Sequence, residues 1–291
     1  MSWDSIDSIF KKQYSEVYLA LVEQKESKLL GTIKSIGEVK GESFSLNEMS
    51  SLGDTLSTPT RFGEATYTDV SFASRVAPMT NFDNFTRVDI NDFYKLAAQP
   101  TDEVIQRLHA RWNRHVDRTI YNGLIGTAQR KENGTNVYTS VALPADQILG
   151  DDLVAFNKEL LISIKTAFDE NEVEEPITIL YNAAMINAIL SDPTLSSADY
   201  NSYKPLADGT IKDFMGMNWI KYQGIQAGKS ATKALGVAYT SDALQYGSNV
   251  VSPFKMVERE DWGRALSLGE KRATGCVRTD EKKVVAFKFK V

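Results

Sequence analysis

Between Thr101 and Ala128 the chain dictates its own geometry. Val104, Leu108, Trp112, Val116, Ile120 and Leu124 recur every four residues and lay one apolar stripe along a helix. Pro100 and Thr101 supply the start signal, and Asp102 and Glu103 suit the positive helix end. Gly123 and Gly126 mark where the helix frays. At about 1.5 Å per residue it is roughly 35 Å long, so the fold must accommodate a strut. Arg107, Arg111, Arg114 and Arg118 form a second stripe beside the apolar one. Local pairs such as Arg114 to Asp117 on an exposed face account for it; so does a contact face for acidic partners or phosphate. In a chain of net charge -5, carboxylates of another chain suit the stripe better than bases do.

The segment before the helix is its opposite. Residues 41–95 hold few apolar side chains for their length. Val70, Phe72 and Val76 keep one parity, "APMTNFDN" supplies turn chemistry, and Val88 and Ile90 resume the alternation. The pattern predicts a long hairpin over 62–93. A two-stranded hairpin is marginal alone in water, so this arm needs a domain of its own or a neighbouring chain.

Elsewhere the periods alternate. Trp3, Ile6, Phe10, Tyr14, Val17 and Leu21 predict an amphipathic helix over 3–23. Leu153, Phe156, Leu160, Ile164 and Phe168 predict a helix over 151–168, and "ITILY" a short buried strand. Asn182 caps a helix running to Leu190, and a long loop occupies 191–210. "FMGMNWIKYQG" and "LGVAYTSDAL" read as a strand and a strand plus turn. Val285, Phe287, Phe289 and Val291 alternate with lysines as a half-buried strand, which "RTDEKK" folds back on a partner near 264–277. The order of elements gives an α+β chain.

Composition narrows the function classes. The 291 residues suffice for one large or two smaller domains, and 42% hydrophobic content is that of a globular protein. Mild acidity argues against holding nucleic acid by bulk charge. One cysteine excludes an internal disulfide and a thiolate zinc site. No apolar run nears the roughly 20 residues of a membrane span, and the charged N-terminus does not read as a signal peptide.

Catalytic motifs fall short. His109 and His115 are six residues apart, about 120° around a helix, where a ligand pair needs one face. "GIQAGKS" (224–230) places three residues where a phosphate-binding P-loop needs four, and reads as a surface turn. "SIFK" and "SATK" match S-x-x-K without its companion motifs, and no G-x-S-x-G occurs. No catalytic residue, cofactor or metal is assigned.

Three segments together resemble the tailed-bacteriophage major capsid proteins of the HK97 type. "VDINDFYKLAAQPTDEVIQRLHARWNRHVDRTIYNGLIGTA" is similar to that family's approach to and passage along a spine helix, with Asp117, Ile120, Gly123 and Gly126 to Ala128 in its closing pattern. "ILYNAAMINAILSDPTLSSADYNSYKPLADGTIKDFMGMNWIKYQG" resembles its axial-domain core, and "ALSLGEKRATGCVRTDEKKVVAFKF" its closing peripheral strands. The resemblance implies an N-terminal arm (1–40), an extended E-loop hairpin (41–95) and a spine helix with peripheral domain (96–150). An axial domain (151–250) and closing peripheral strands (251–291) follow.

It also implies a non-enzymatic protein that self-assembles, as hexamers and pentamers, into the icosahedral head of a double-stranded DNA phage. Packaged DNA would be touched without sequence preference, a portal protein would join the shell, and assembly in the host cytoplasm would end in the virion. With no long segment ahead of the arm, a separate scaffolding protein is expected. Some family members link an E-loop lysine covalently to a neighbour; residues 41–94 hold no lysine, so no such crosslink is expected. Expected interface residues are Trp3, Phe10 and Tyr14 on the arm, Phe62, Tyr67, Phe72, Phe82 and Phe85 on the hairpin, and Arg107, Arg111, Arg114 and Arg118. An encapsulin-like cargo shell and a soluble nucleotide-binding enzyme are the alternatives.

Overall fold

The computed structural model describes residues 23–50, 56, 58, 61–64, 67–89, 101–132, 135, 137–191, 213–225 and 232–291. Trp3, Phe10 and Tyr14, the helix expected over 3–23 apart from Glu23, residues 192–212 and most of "GIQAGKS" lie outside the described residues. The chain divides into two units. The smaller takes residues 1–26, 81–115 and 250–272; the larger takes 27–80, 116–249 and 273–291.

In the larger unit a six-stranded sheet runs in the order β7-β14-β11-β8-β10-β9. These strands are β7 (Ile148–Ala155), β8 (Ile177–Tyr181), β9 (Asp213–Phe214), β10 (Met217–Lys221), β11 (Lys233–Thr240) and β14 (Val284–Lys290). Every residue of β8 is buried, Thr178 included, as a mostly apolar run rich in β-branched and aromatic side chains suits a central strand. Helix α2 (Lys158–Glu170) buries Leu161, Ile164 and Phe168, while Phe156 packs its ring 5.9 Å from those of Phe287 and Phe289. Helix α3 (Ala183–Ser191) opens with Asn182 accepting the Met185 amide at 2.9 Å, as its sequence predicts.

The larger unit also contains a four-stranded sheet, β2-β3-β5-β6, built from β2 (Ser43–Met49), β3 (Phe72–Pro78), β5 (Ala128–Glu132) and β6 (Tyr138–Val141). β2 and β3 form the extended hairpin, in antiparallel register from Ser43 opposite Pro78 to Met49 opposite Phe72. Ala77, Ala128 and Val277 form a small core at its base, against which Phe44 and Leu46 pack.

Strand β4 (Thr80–Val88) follows β3 after a break at Met79 but belongs to another sheet, β1-β12-β13-β4. That sheet adds β1 (Lys34–Glu38), β12 (Leu244–Arg259) and β13 (Ala265–Arg278). The 62–93 segment is therefore not one hairpin: its two alternating runs pair with different partners. In the smaller unit β4, the outer part of β12 and the first part of β13 cover the N-terminal half of α1 (Thr101–Ile125). Leu108 and Trp112 are buried there, Asn84 donates to the Leu108 carbonyl at 2.9 Å, and the Arg272 guanidinium sits 5.2 Å from the Trp112 ring centre. Of the predicted stripe, Leu108, Trp112, Val116, Ile120 and Leu124 are buried and Val104 is half-buried.

Two further expectations change. Residues 148–155 are a strand, with Leu153 and Val154 exposed, and α2 starts only at Lys158. Pairing explains the difference: β7 runs parallel to β14, from Ile148 opposite Ala286 to Ala155 opposite Lys290, and at Gly150, φ 78°, a β-carbon would lie 2.4 Å from the Lys288 carbonyl of that strand. Asn157 is the true cap, accepting the Leu160 amide at 2.9 Å. At the C-terminus, β14 does not fold back on β13; it pairs antiparallel with β11 and parallel with β7, and is buried along most of its length.

Candidate assembly surfaces

An ion cluster fixes the root of the β2–β3 hairpin. Arg75, on β3, donates Nη1 and Nη2 to the two carboxylate oxygens of Glu281 at 2.6 and 2.8 Å, and Nε to Glu48 of β2 at 3.0 Å. Arg130, directly opposite Arg75 on β5, reaches the same Glu48 oxygen at 3.2 Å. Arg278 is 1% exposed. It donates to the carbonyls of Leu124 (3.1 Å) and Gly126 (2.6 Å), where α1 ends, to the Val141 carbonyl of β6 (3.0 Å), and to Glu281 (3.3 Å). A cation meeting orphan carbonyls at a helix C-terminus is favourable.

The electrostatics follow from this packing. Burial works against the Arg75 cation, yet its bonds to Glu281 and Glu48 prevail and raise its pKa. Burial lowers that of Arg278. Burial works against the Glu281 carboxylate too, but its hydrogen bonds and attraction to Arg75, with Arg278 close by, hold its pKa below the usual range. The cluster thus stays ionised, and it joins β2, β3, β5, β6, the β13–β14 turn and the end of α1.

The far end of the hairpin has no comparable cover. Phe62 is 95% and Tyr67 88% exposed, and Leu56, Met49 and Phe72 are exposed as well. Phe62 adopts φ 66°, a left-handed conformation uncommon for an aromatic residue, and Arg61 lies over its ring. Exposed apolar side chains clustered on one projecting element mark an interaction surface.

A second anchor holds the start of the described chain. Asp117 of α1 is fully buried and accepts from the Ser27 hydroxyl (2.5 Å) and the Lys28 and Leu29 amides (3.1 Å each). In the smaller unit Arg114 pairs with Glu23 at 2.8 Å and Asn113 donates to the Lys25 carbonyl at 2.8 Å. The arginine stripe is therefore divided: Arg114 holds the arm segment, whereas Arg107, Arg111 and Arg118 are exposed. Asp117 bonds the arm segment, and the ion pair at Arg114 is with Glu23.

The remaining expected aromatics part company. Phe82 packs 4.1 Å from the His115 ring on the helix-facing side of β4. Phe85 is exposed and borders a cleft of about 480 Å³ with Thr86, Arg87, Arg259, Ser267 and Lys271. Sequence reasoning missed Arg75, Glu48, Arg130, Arg278 and Glu281, whose partners lie on distant elements. Asp117 it placed in the helix pattern and offered as a local partner of Arg114, without its bonds to Ser27, Lys28 and Leu29. Among the described residues no group of three or more His, Cys, Asp or Glu is arranged to hold a metal, and no described helix is long and apolar enough to cross a membrane.

Comparison with known proteins agrees with this arrangement. Among curated proteins none matches the chain. The capsid of cyanophage P-SCSP1u superposes with a TM-score of 0.75 at 9% identity, over 97% of this chain and 93% of that one. Mycobacterium phage Che8 gives 0.69 at 15%, covering 96% of each chain. The mature capsid of bacteriophage PhiM1 gives 0.68 at 12%, over 96% and 92%. The fold is thus the HK97-like α+β capsid fold, and since the phage capsid protein family matches residues 6–291, this chain belongs to that family.

Proposed function

We infer that the chain is a major capsid protein whose copies build the icosahedral head of a tailed double-stranded DNA phage. The observation that carries this is a hairpin rigid at its root and uncovered at its end. An ion cluster anchors Arg75 to Glu281 and Glu48, while Phe62 and Tyr67 stand in solvent. Such a part is completed by a neighbour, and repeated head-to-tail contacts of this kind close into a shell. Residues 41–95 serve as the reaching arm, α1 as the spine, and residues 1–40 as the second arm. The six-stranded sheet, β14 included, belongs to the axial domain, and residues 251–272 close the peripheral one.

The protein is structural and not an enzyme. Its shell is assembled in the host cytoplasm as hexamers and pentamers, with a separate scaffolding protein and a portal protein. The exposed arginines Arg107, Arg111 and Arg118 contact neighbours, scaffold or the phosphates of packaged DNA without reading sequence. Particles purified from infected cells should contain this chain as the dominant protein around nuclease-protected double-stranded DNA. Particles filled with a protein cargo and no DNA would refute the phage-head reading.

A further inference from the structure

The open face of the smaller unit's sheet is sorted by charge. Phe82 and Asn84 on β4, Phe254 on β12 and Arg272 on β13 turn toward α1, where they meet the His115 ring, the Leu108 carbonyl, the His109 ring and the Trp112 ring. Strand alternation therefore puts the odd-numbered positions of all three strands on the other face. Their charged members are four cations, Arg87, Lys255, Arg259 and Lys271, against one acid, Asp83. Arg87, Arg259 and Lys271 border the cleft of about 480 Å³, and no carboxylate lines it. Lys271 pairs with Asp83 at 3.3 Å and Arg259 with Asp261 at 2.7 Å. Both pairs are exposed; such pairs contribute little and exchange readily for other carboxylates.

The opposite chemistry stands on the larger unit. Residues 169–175 hold five carboxylates in seven residues and no cation. Asp169 and Glu170 end α2, where the helix dipole disfavours negative charge, so local stability does not account for the run. Lys165 holds Asp169 at 2.8 Å and Lys283 holds Glu175, while Glu170, Glu172 and Glu174 are exposed. Glu172, Glu174, Glu175 and Asp280 outnumber Lys282 and Lys283 around a concavity of about 370 Å³, room for the end of a lysine or arginine side chain. We propose that the acidic 169–175 loop of one copy docks on the cationic sheet face of a second copy, with Glu172 and Glu174 meeting Arg87, Arg259 and Lys271. This rests on the shell reading and deepens it with a joint that does not use the extended hairpin. The contact is heterologous, each copy giving one surface and receiving the other. Its charges orient the encounter, and salt weakens it.

Disulfide trapping tests it in the purified chain, alone and with the scaffolding protein proposed above. Glu172→Cys combined with Ser267→Cys should give disulfide-linked multimers on oxidation, and neither single variant should. The natural Cys276 does not compete, because burial pushes its thiol up to about 11. Shells without linkage, or a disulfide confined to single chains, overturn the proposal and leave the shell reading standing. Linked multimers at high concentration with no shells under any condition support the joint and refute the shell reading. Neither shells nor linkage refutes both. Charge exchange is the second arm. Arg87→Glu with Lys271→Glu should raise the concentration needed for assembly about tenfold, roughly 1.4 kcal/mol. Glu172→Lys with Glu174→Lys should do the same, and all four together should restore assembly. A quadruple variant no better than either parent overturns the proposal.

Discussion

Glu281 closes both carboxylate oxygens on a single guanidinium, that of Arg75, at 2.6 and 2.8 Å. The two residues are 206 positions apart in sequence. Planar bidentate pairing of this kind fixes orientation as well as distance. It makes the hairpin root a rigid joint that also holds Arg278 and, through Glu48, Arg130.

Replacing Glu281 leaves two buried guanidinium groups short of their shared counter-charge. Glu281→Ala should destabilise the protein by about 3 kcal/mol, the lower end for breaking a buried pair, read by denaturant unfolding. The pH dependence has a defined sign. The folded-state pKa of Glu281 lies below its ordinary 4.5, so its contribution is fully present above that value and is lost as pH falls through the folded pKa. Glu281→Gln should flatten the acid limb of a stability-against-pH curve below about pH 4.5 relative to wild type. An unchanged acid limb contradicts the arrangement.

Asp117 makes a separate prediction. Asp117→Ala strands the Ser27 hydroxyl and the Lys28 and Leu29 amides that its carboxylate accepts. Each unmet donor costs about 1–3 kcal/mol unless water reaches it, so the segment should detach locally before the protein unfolds. Limited trypsin digestion at Lys25 and Lys28 should quicken markedly, while Asp117→Asn should show a smaller effect. Equal cleavage rates in wild type and the alanine variant contradict the latch.

Gly269→Ala tests the close approach of β4 and β13. The added methyl meets backbone as well as the Phe85 ring, so the strands must part. A loss of about 1–3 kcal/mol is expected, as for overpacking elsewhere, with amide exchange quickening in β4 and β13 and not in the six-stranded sheet.

Residues 41–94 hold no lysine. The major capsid chain of mature particles boiled in denaturant should therefore run as a single band of one chain, without covalent multimers. A ladder of covalent multimers would contradict this expectation.

The sequence disclosed the helix at 101–125, the body of those at 158–170 and 183–191, and the buried central strand, because those are local patterns. The four-residue step from Leu108 to Leu124 and the run at 177–181 carry their own burial. Strand partners are not local. β3 and β4 read as one hairpin because their alternations are separated only by Met79, yet β3 finds β5 and β4 finds β13. At 151–157 a helical spacing of apolar residues outvoted the Asn157 cap, which was visible. At the surfaces, Phe62 and Tyr67 stood out as aromatics in a polar stretch. Arg75 and Glu281 did not, since a charged pair becomes legible only when the fold brings its members together.

Negative-stain electron microscopy of the purified chain, alone and with the scaffolding protein proposed above, tests the central claim most directly. Closed shells of uniform diameter are expected. A compact monomer across all concentrations and salts, with Phe62 and Tyr67 protected within its own fold, would contradict the account.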